Sequence, residues 1–108
     1  MRAGRFRIRE LRSPAEFLEA SEVAKAAWGF PDLMVPPPPD MITATHSGGM
    51  TAGAFDGARL LGFVHAVPRT NLAQPAIHSH LLAVHPGAHR RGLSVLLKIF
   101  QRQWCLAR

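Results

Sequence analysis

Two short stretches hold residue types whose spacing could do chemistry. In His78-Ser79-His80-Leu81-Leu82-Ala83-Val84-His85, two imidazoles stand two residues apart. Side chains on an extended strand repeat every two residues, so His78 and His80 share one face. Histidine titrates near neutral pH, and such a pair could pass a proton from an ammonium to solvent. Two blander readings stay open, satisfied core histidines or a pair of metal ligands. Zinc would want a third or fourth ligand, and alternation puts His85 on the opposite face, so no metal site is expected.

The second stretch is Val84-His85-Pro86-Gly87-Ala88-His89-Arg90-Arg91-Gly92-Leu93-Ser94. A strand ends at a proline, and a short basic loop with a glycine opens an amphipathic helix. The free N–H groups at such a helix start, with the macrodipole, form a ready anion site. Gly92 permits close backbone approach, and Arg90 and Arg91 add charge suited to phosphates. The same glycine could serve packing alone.

The elements that must position these residues are legible in outline. Phe6 to Leu11 reads as a strand. Ser13-Pro14-Ala15-Glu16 supplies an N-cap, a proline at the first helical position and a capping-box glutamate. Apolar residues at helical spacing then carry a helix to Trp28, and Gly29 ends it. Phe30 to Pro39, with five prolines, reads as a stiff surface loop. Asp40 can cap a short helix through His46. Met50 to Phe55 and Arg59 to Val67 flank Asp56-Gly57, a hairpin signal. Ala76 to Val84 is apolar enough to lie centrally in a sheet. Leu93, Leu96, Leu97, Phe100 and Trp104 form one apolar helical face, and that helix is expected to run uncapped to Arg108. Cys105 near its end reads as a buried, inert thiol. His46 and His65 read as isolated, and Trp28 and Phe30 as core residues more than ligand contacts.

Composition narrows the class. The 108 residues are 47% hydrophobic and 19% charged, a globular balance for one small domain. A single cysteine excludes an intramolecular disulfide. No apolar run approaches the ~18 residues of a membrane span, and no signal peptide is recognisable; a soluble, cytoplasmic domain is expected. Thirteen Lys and Arg against seven Asp and Glu give a net charge of +6. Arg2, Arg5, Arg7, Arg9 and Arg12 could form a nucleic-acid arm. They alternate with Phe6, Ile8 and Glu10, however, as a strand with a solvated face, and no nucleic-acid motif follows.

The run Val84-x-Pro86-x-x-His89-Arg90-Arg91-Gly92-Leu93-Ser94 resembles motif A of the GNAT acyl-CoA N-acyltransferases, which ends in Arg/Gln-x-x-Gly-x-Gly/Ala. His89 stands where Arg or Gln is usual, and Ser94 replaces the final Gly or Ala. Gly49-Met50 through Gly62-Phe63 is similar to the family's preceding hairpin. The resemblance implies an α/β fold, a GNAT-type mixed sheet flanked by helices in the order β-α-α-β-β-β-α. It also implies that the C-terminal strands are missing, so that residues 1–108 are one truncated acyltransferase domain. Acetyl-CoA or another acyl-CoA would be the co-substrate, with no metal. Its pyrophosphate would rest on the amides from His89 through Arg90, Arg91, Gly92 and Leu93 to Ser94. Its pantetheine arm would lie along Leu82, Ala83 and Val84, and a nearby amide would polarise the thioester carbonyl.

His78 and His80 are similar in placement to the paired histidines of the arylalkylamine N-acetyltransferase branch, which implies a catalytic role in taking a proton from the acceptor. The acceptor would be a small amine or amino acid. Resemblance to a bacterial branch with amino-acid N-succinyltransferases makes succinyl-CoA a second donor. The family's usual general acid is a tyrosine, and this chain has none. An open strand edge at Ala76 to Val84 would imply a homo-oligomer or a longer chain. The alternative from another class is a non-catalytic CoA-binding or dimerisation half-domain of the same fold.

Overall fold

The structure, a computed structural model, describes residues 1–29, 37–69, 73–74, 76–89 and 91–108. A two-residue strand β1 (Arg2–Ala3) precedes β2 (Phe6–Glu10). Helices α1 (Pro14–Trp28) and α2 (Pro38–His46) follow, then β3 (Met50–Asp56), β4 (Arg59–Arg69) and β5 (Ala76–Val84). A 3-10 turn at Pro86–Ala88 leads into α3 (Leu93–Leu106). The expected β-α-α-β-β-β-α order is therefore present, with one short strand added in front.

Local chemistry sets most of these boundaries. Ser13 caps α1, its hydroxyl accepting from the Glu16 N–H, and Gly29 closes the helix in the left-handed region at φ 64°. The β3–β4 hairpin turns at Gly57, with φ 61°. Gly49, at the start of β3, is held between strands and helix. A Cβ there would lie 2.3 Å from the Ala66 carbonyl oxygen and 2.8 Å from that of Ala44, so only glycine lets the three segments meet.

The strands pair in the order β1-β2-β3-β4-β5, and all four pairings are antiparallel. Two bulges interrupt the ladder. Leu61 has no partner opposite the Ala54/Phe55 step, and His80 has none opposite the His65/Ala66 step. A bulge adds one residue to one strand and shifts the alternation beyond it. The sheet is thereby sandwiched. Met50, Ala52, Ala54, Val64 and Ala66 pack with Leu93 and Leu97 of α3 on one face. Leu11, Phe55, Leu60, Phe63 and Ala83 pack with Phe17, Ala20, Val23 and Ala24 of α1 and Met41 of α2 on the other.

Four expectations need correction. Asp40 does not cap α2. That helix starts two residues earlier, with Pro37 at the cap and Pro38 and Asp40 in the first turn, because a proline's fixed φ and missing N–H suit the first helical positions. Residues 30–36 of the expected proline loop lie outside the described residues. The last helix stops at Leu106, where the Ala107 N–H bonds back to Gln103 and Cys105, so it does not reach Arg108. Cys105 is exposed; the last buried residue of α3 is Gln101, and in the final turn only Trp104 still packs on the core. Among the described residues strand β5 stands at the end of the sheet order and not centrally. Its polar first half, His78-Ser79-His80, is exposed, and only Ala83 and Val84 are buried.

Candidate functional site

Strand β5 ends at Val84 against the sheet, and the chain turns through the 3-10 segment to start α3 beside it. His85 shapes that turn: its Nδ1 accepts the Gly87 N–H at 3.1 Å. His89 then ties the loop back, its Nε2–H donating to the Val84 carbonyl at 3.0 Å. Gly92 occupies the N-cap of α3 at φ 73°, with no side-chain cap and no acidic residue in the first turn. A Cβ at Gly92 would meet nothing within 4 Å. The position thus needs glycine for its dihedral and leaves open space in front of it. The first intrahelical bond runs from the Leu96 N–H to the Gly92 carbonyl at 3.1 Å, so the Leu93, Ser94 and Val95 amides have no partner within the helix.

These pieces enclose a cavity of about 470 Å3, lined by Leu82, Ala83, Val84, His89, Gly92, Leu93 and Ser94 from β5 and the α3 junction, with Ala88 behind and Ala27 and Trp28 of α1 across. One wall is an apolar strand end. The other is the positive end of a helix dipole, a pairing suited to a ligand with an extended arm and an anionic group.

His78 and His80 lie farther back along β5. Ile77 packs on the α3 side and Ser79 accepts from Lys98 of α3 at 3.0 Å, so His78 between them points to the opposite face. His80 is the unpaired residue of the bulge, and its ring meets His65 edge-on with centroids 6.3 Å apart. His65 belongs to the α2 side, where its Nδ1 lies 2.7 Å from the Thr51 hydroxyl, which lies 2.8 Å from that of Thr45. Both site histidines are exposed, whereas His65 is only 3% exposed. Burial pushes the pKa of His65 down to about 4, helped by the nearby charge of His80 and opposed by a hydrogen bond to the Met50 backbone.

No family model matches the chain, and no similar curated protein is found. Solved structures do match. An aminoglycoside acetyltransferase from an uncultured soil metagenomic sample, solved with sisomicin, superposes with a TM-score of 0.78 at 14% identity, over 93% of this chain and 69% of that one. A GNAT-family protein from Desulfovibrio desulfuricans gives 0.72 at 15% identity, over 87% and 61%. An aminoglycoside 6'-N-acetyltransferase complexed with coenzyme A gives 0.72 at 17% identity, over 93% and 55%. The fold is that of the GNAT acetyltransferases. This chain spans between 55% and 69% of the length of those three.

On this GNAT fold, seven of the nine residues expected to hold a cofactor line one cavity. Arg91 is exposed beside it but does not line it, and Arg90 lies outside the described residues. His78 and His80 are not in the lining; they sit two to six residues up the same strand from Leu82 to Val84. Two expectations about histidines change. The bulge at His80 shifts the alternation, so parity no longer separates His85 from His78 and His80. His85 instead lies beyond the strand and shapes the turn. His65 is not isolated, because the β4–β5 register brings it to His80. Among the described residues no group of three or more His, Cys, Asp or Glu is placed to hold a metal ion.

Sequence reasoning also missed that Ala27 and Trp28 close the cavity. The available signal was the helical spacing that already put both near the end of α1. A second cavity of about 760 Å3 lies at the opposite end of β5, between Ile77, Trp104, Cys105 and the end of α2. None of the residues singled out in the sequence for binding or catalysis lines it.

Proposed function

We propose that this chain carries an acyl-CoA-dependent N-acyltransferase site that moves an acyl group from CoA to the amine of a small molecule or amino acid. The observation that carries this reading is the junction of β5 and α3. There the end of β5, with no described neighbour on its outer side, and uncapped helix amides face one cavity, with two exposed histidines farther along the same strand. Leu93 and Ser94 would hold the pyrophosphate on their N–H groups, with Arg91 adding charge. Leu82, Ala83 and Val84 would carry the pantetheine arm as an added strand, since β5 has no described neighbour on its outer side. His89 supports the loop by its bond to Val84.

The chemistry is direct transfer. The amine nitrogen attacks the thioester carbonyl, the N–C bond forms, the C–S bond breaks, and CoA leaves as thiolate. His78 or His80 takes the proton the amine must lose. Backbone donors in a low-dielectric groove favour the negative charge that develops on the carbonyl oxygen. The aminoglycoside acetyltransferases among the structural neighbours support acetyl as the donor group and a small amine as acceptor; succinyl is the second donor to test.

Thermal unfolding with CoA tests the binding half. A ligand that binds only the native state stabilises it by about 2.7 kcal/mol at a hundred times its dissociation constant, so the melting temperature should rise by several degrees. An unchanged curve at millimolar CoA overturns the reading. Release of free thiol from acetyl-CoA or succinyl-CoA with a panel of amines then tests turnover. A shift without turnover identifies the non-catalytic CoA-binding alternative.

A further inference from the structure

His65 is a buried imidazole whose hydrogen-bonding state can be worked out by counting protons. The Thr45 hydroxyl lies 2.7 Å from the Met41 carbonyl oxygen, which can only accept, so Thr45 donates there. Thr45 has one proton, so across the 2.8 Å contact Thr51 must be the donor. The Thr51 proton is then spent, and at 2.7 Å the His65 Nδ1 must carry the hydrogen. A neutral ring with Nδ1–H keeps its lone pair on Nε2. Three strictly ordered bonds, anchored on a helix carbonyl, thus fix the tautomer of a side chain that is 3% exposed.

That ring stands edge-on to His80 at 6.3 Å between centroids, too far apart for a direct ring-to-ring hydrogen bond but a separation that a single bridging water spans. We propose that His65 is a positioning residue for His80: across one bridging water its Nε2 lone pair receives the ring N–H of His80, and so fixes which His80 nitrogen remains free as base. The inference rests on the acyltransfer reading given above. A general base gains from a third group that orients it and receives its second N–H once it is protonated. The bulge supplies the geometry, since an unpaired residue re-aims its side chain out of the regular ladder. His65 suits the role because burial disfavours its charged form, which leaves it an acceptor and not a competitor for the proton. The groups facing it are Thr51 and the Met50 backbone from β3, Thr45 from α2 and His80 from β5, with His78 on the same face. Among the described residues His80 is the titratable group whose charge acts on it.

Nitrogen-15 NMR of the imidazoles, on the full chain without substrate, reads the proposal independently of turnover. At pH 7 His65 should be solely Nδ1–H, and the His80 ring should hold one tautomer. His65→Asn keeps a donor for Thr51 but has nothing at the Nε2 position, so His80 should become a tautomer mixture. His65→Gln restores a polar group near Nε2 and should recover part of the order. Thr51→Val is the second route: it releases the His65 Nδ1 and should blur both rings if His65→Asn does not fold. In the enzymatic arm, His65→Asn should lower kcat roughly 10-fold at neutral pH, as for other orienting groups. KM for acyl-CoA and the CoA-induced melting shift should stay unchanged, and the defect should shrink at high pH where the amine arrives deprotonated. On a His80→Ala background His65→Asn should cost nothing further. An unaltered His80 tautomer in both His65→Asn and Thr51→Val, or an equal loss with and without His80, overturns the proposal. If the wild type binds CoA but turns nothing over, the acyltransfer reading fails while the NMR arm still decides this one.

Discussion

Helices α1 and α3 begin in the same way, as a turn of backbone whose first amides lack partners, yet the chain treats the two starts differently. At α1 the demand is met internally. Ser13 takes the Glu16 N–H, Pro14 has no N–H to satisfy, and the Glu16 carboxylate accepts the Arg12 N–H at 2.6 Å. Arg9 closes the cluster, donating to both Glu16 oxygens at 3.1 and 2.6 Å while stacking over Phe55 at 4.1 Å. At α3 there is neither a capping side chain nor a first-turn carboxylate, and the nearby polar ring, His89, donates to Val84 instead. One start is closed by its own sequence. The other keeps its donors and its dipole facing a cavity, the arrangement that suits an anionic ligand.

The largest expected effect comes from giving α3 the kind of charge that α1 has. Gly92→Glu puts a carboxylate and a bulky side chain into the open space before the Leu93 and Ser94 amides, and the CoA-induced rise in melting temperature should vanish. The substitution also forces a side chain into the left-handed region, at roughly 1–2 kcal/mol. Gly92→Ala carries the same strain with one methyl and no charge. It should melt lower without ligand and still respond to CoA. If Gly92→Glu responds to CoA as the wild type does, the two helix starts do not differ in function.

A smaller effect, confined to stability, is expected at the closed start. The Arg9 guanidinium, with the Arg12 and Ser13 amides, holds the Glu16 carboxyl down at about 2, below its usual value of 4.5. A lowered carboxyl pKa gives stability that is present above the unfolded value and lost as pH falls from about 4.5 toward 2. His65, held down at about 4 from 6.5, contributes stability lost over the separate range from about 6.5 to 4. Glu16→Gln should therefore cost about 1.5–3 kcal/mol at neutral pH and remove the lower part of the acid-unfolding profile only. Denaturant titrations across pH would show this. An unchanged slope below pH 4 would mean that the ion pair is not maintained in solution.

How far the sequence revealed this molecule follows from the range of each interaction. Ser13-Pro14, Gly29, Asp56-Gly57, Pro86 and Gly92 act on their immediate neighbours, and the elements they bound fall within two residues of where spacing puts them. The cavity at the β5–α3 junction was legible for the same reason: strand, loop and helix start are contiguous in sequence. The bulge at His80 was not, because it depends on register against β4, and no local pattern marks the extra residue. With it went the shifted alternation at His85 and the meeting of His80 with His65, 15 positions earlier in the chain and tied in turn to Thr51 and Thr45. The exposure of Cys105 depends on what lies against the last turn of α3, where only Trp104 still packs on the core, and helical periodicity alone does not express that.

The mildest test isolates the cap at α1. Ser13→Ala removes the hydroxyl that accepts the Glu16 N–H at 3.3 Å and nothing else. Caps of this kind are worth about 1 kcal/mol. Here the bond is long, and the Glu16 N–H also reaches the Ser13 carbonyl at 3.0 Å, so the loss should fall at or below that figure. The CoA response should not change, since Ser13 lies outside the cavity lining. A double variant with Glu16→Gln sharpens the comparison. If Ser13, Glu16 and Arg9 act as one closed cluster, the second substitution should cost less in the presence of the first, because interacting neighbours are not additive. Strict additivity would mean that the hydroxyl and the carboxylate close the helix start independently. The contrast with α3 would then rest on the Arg9–Glu16 pair alone.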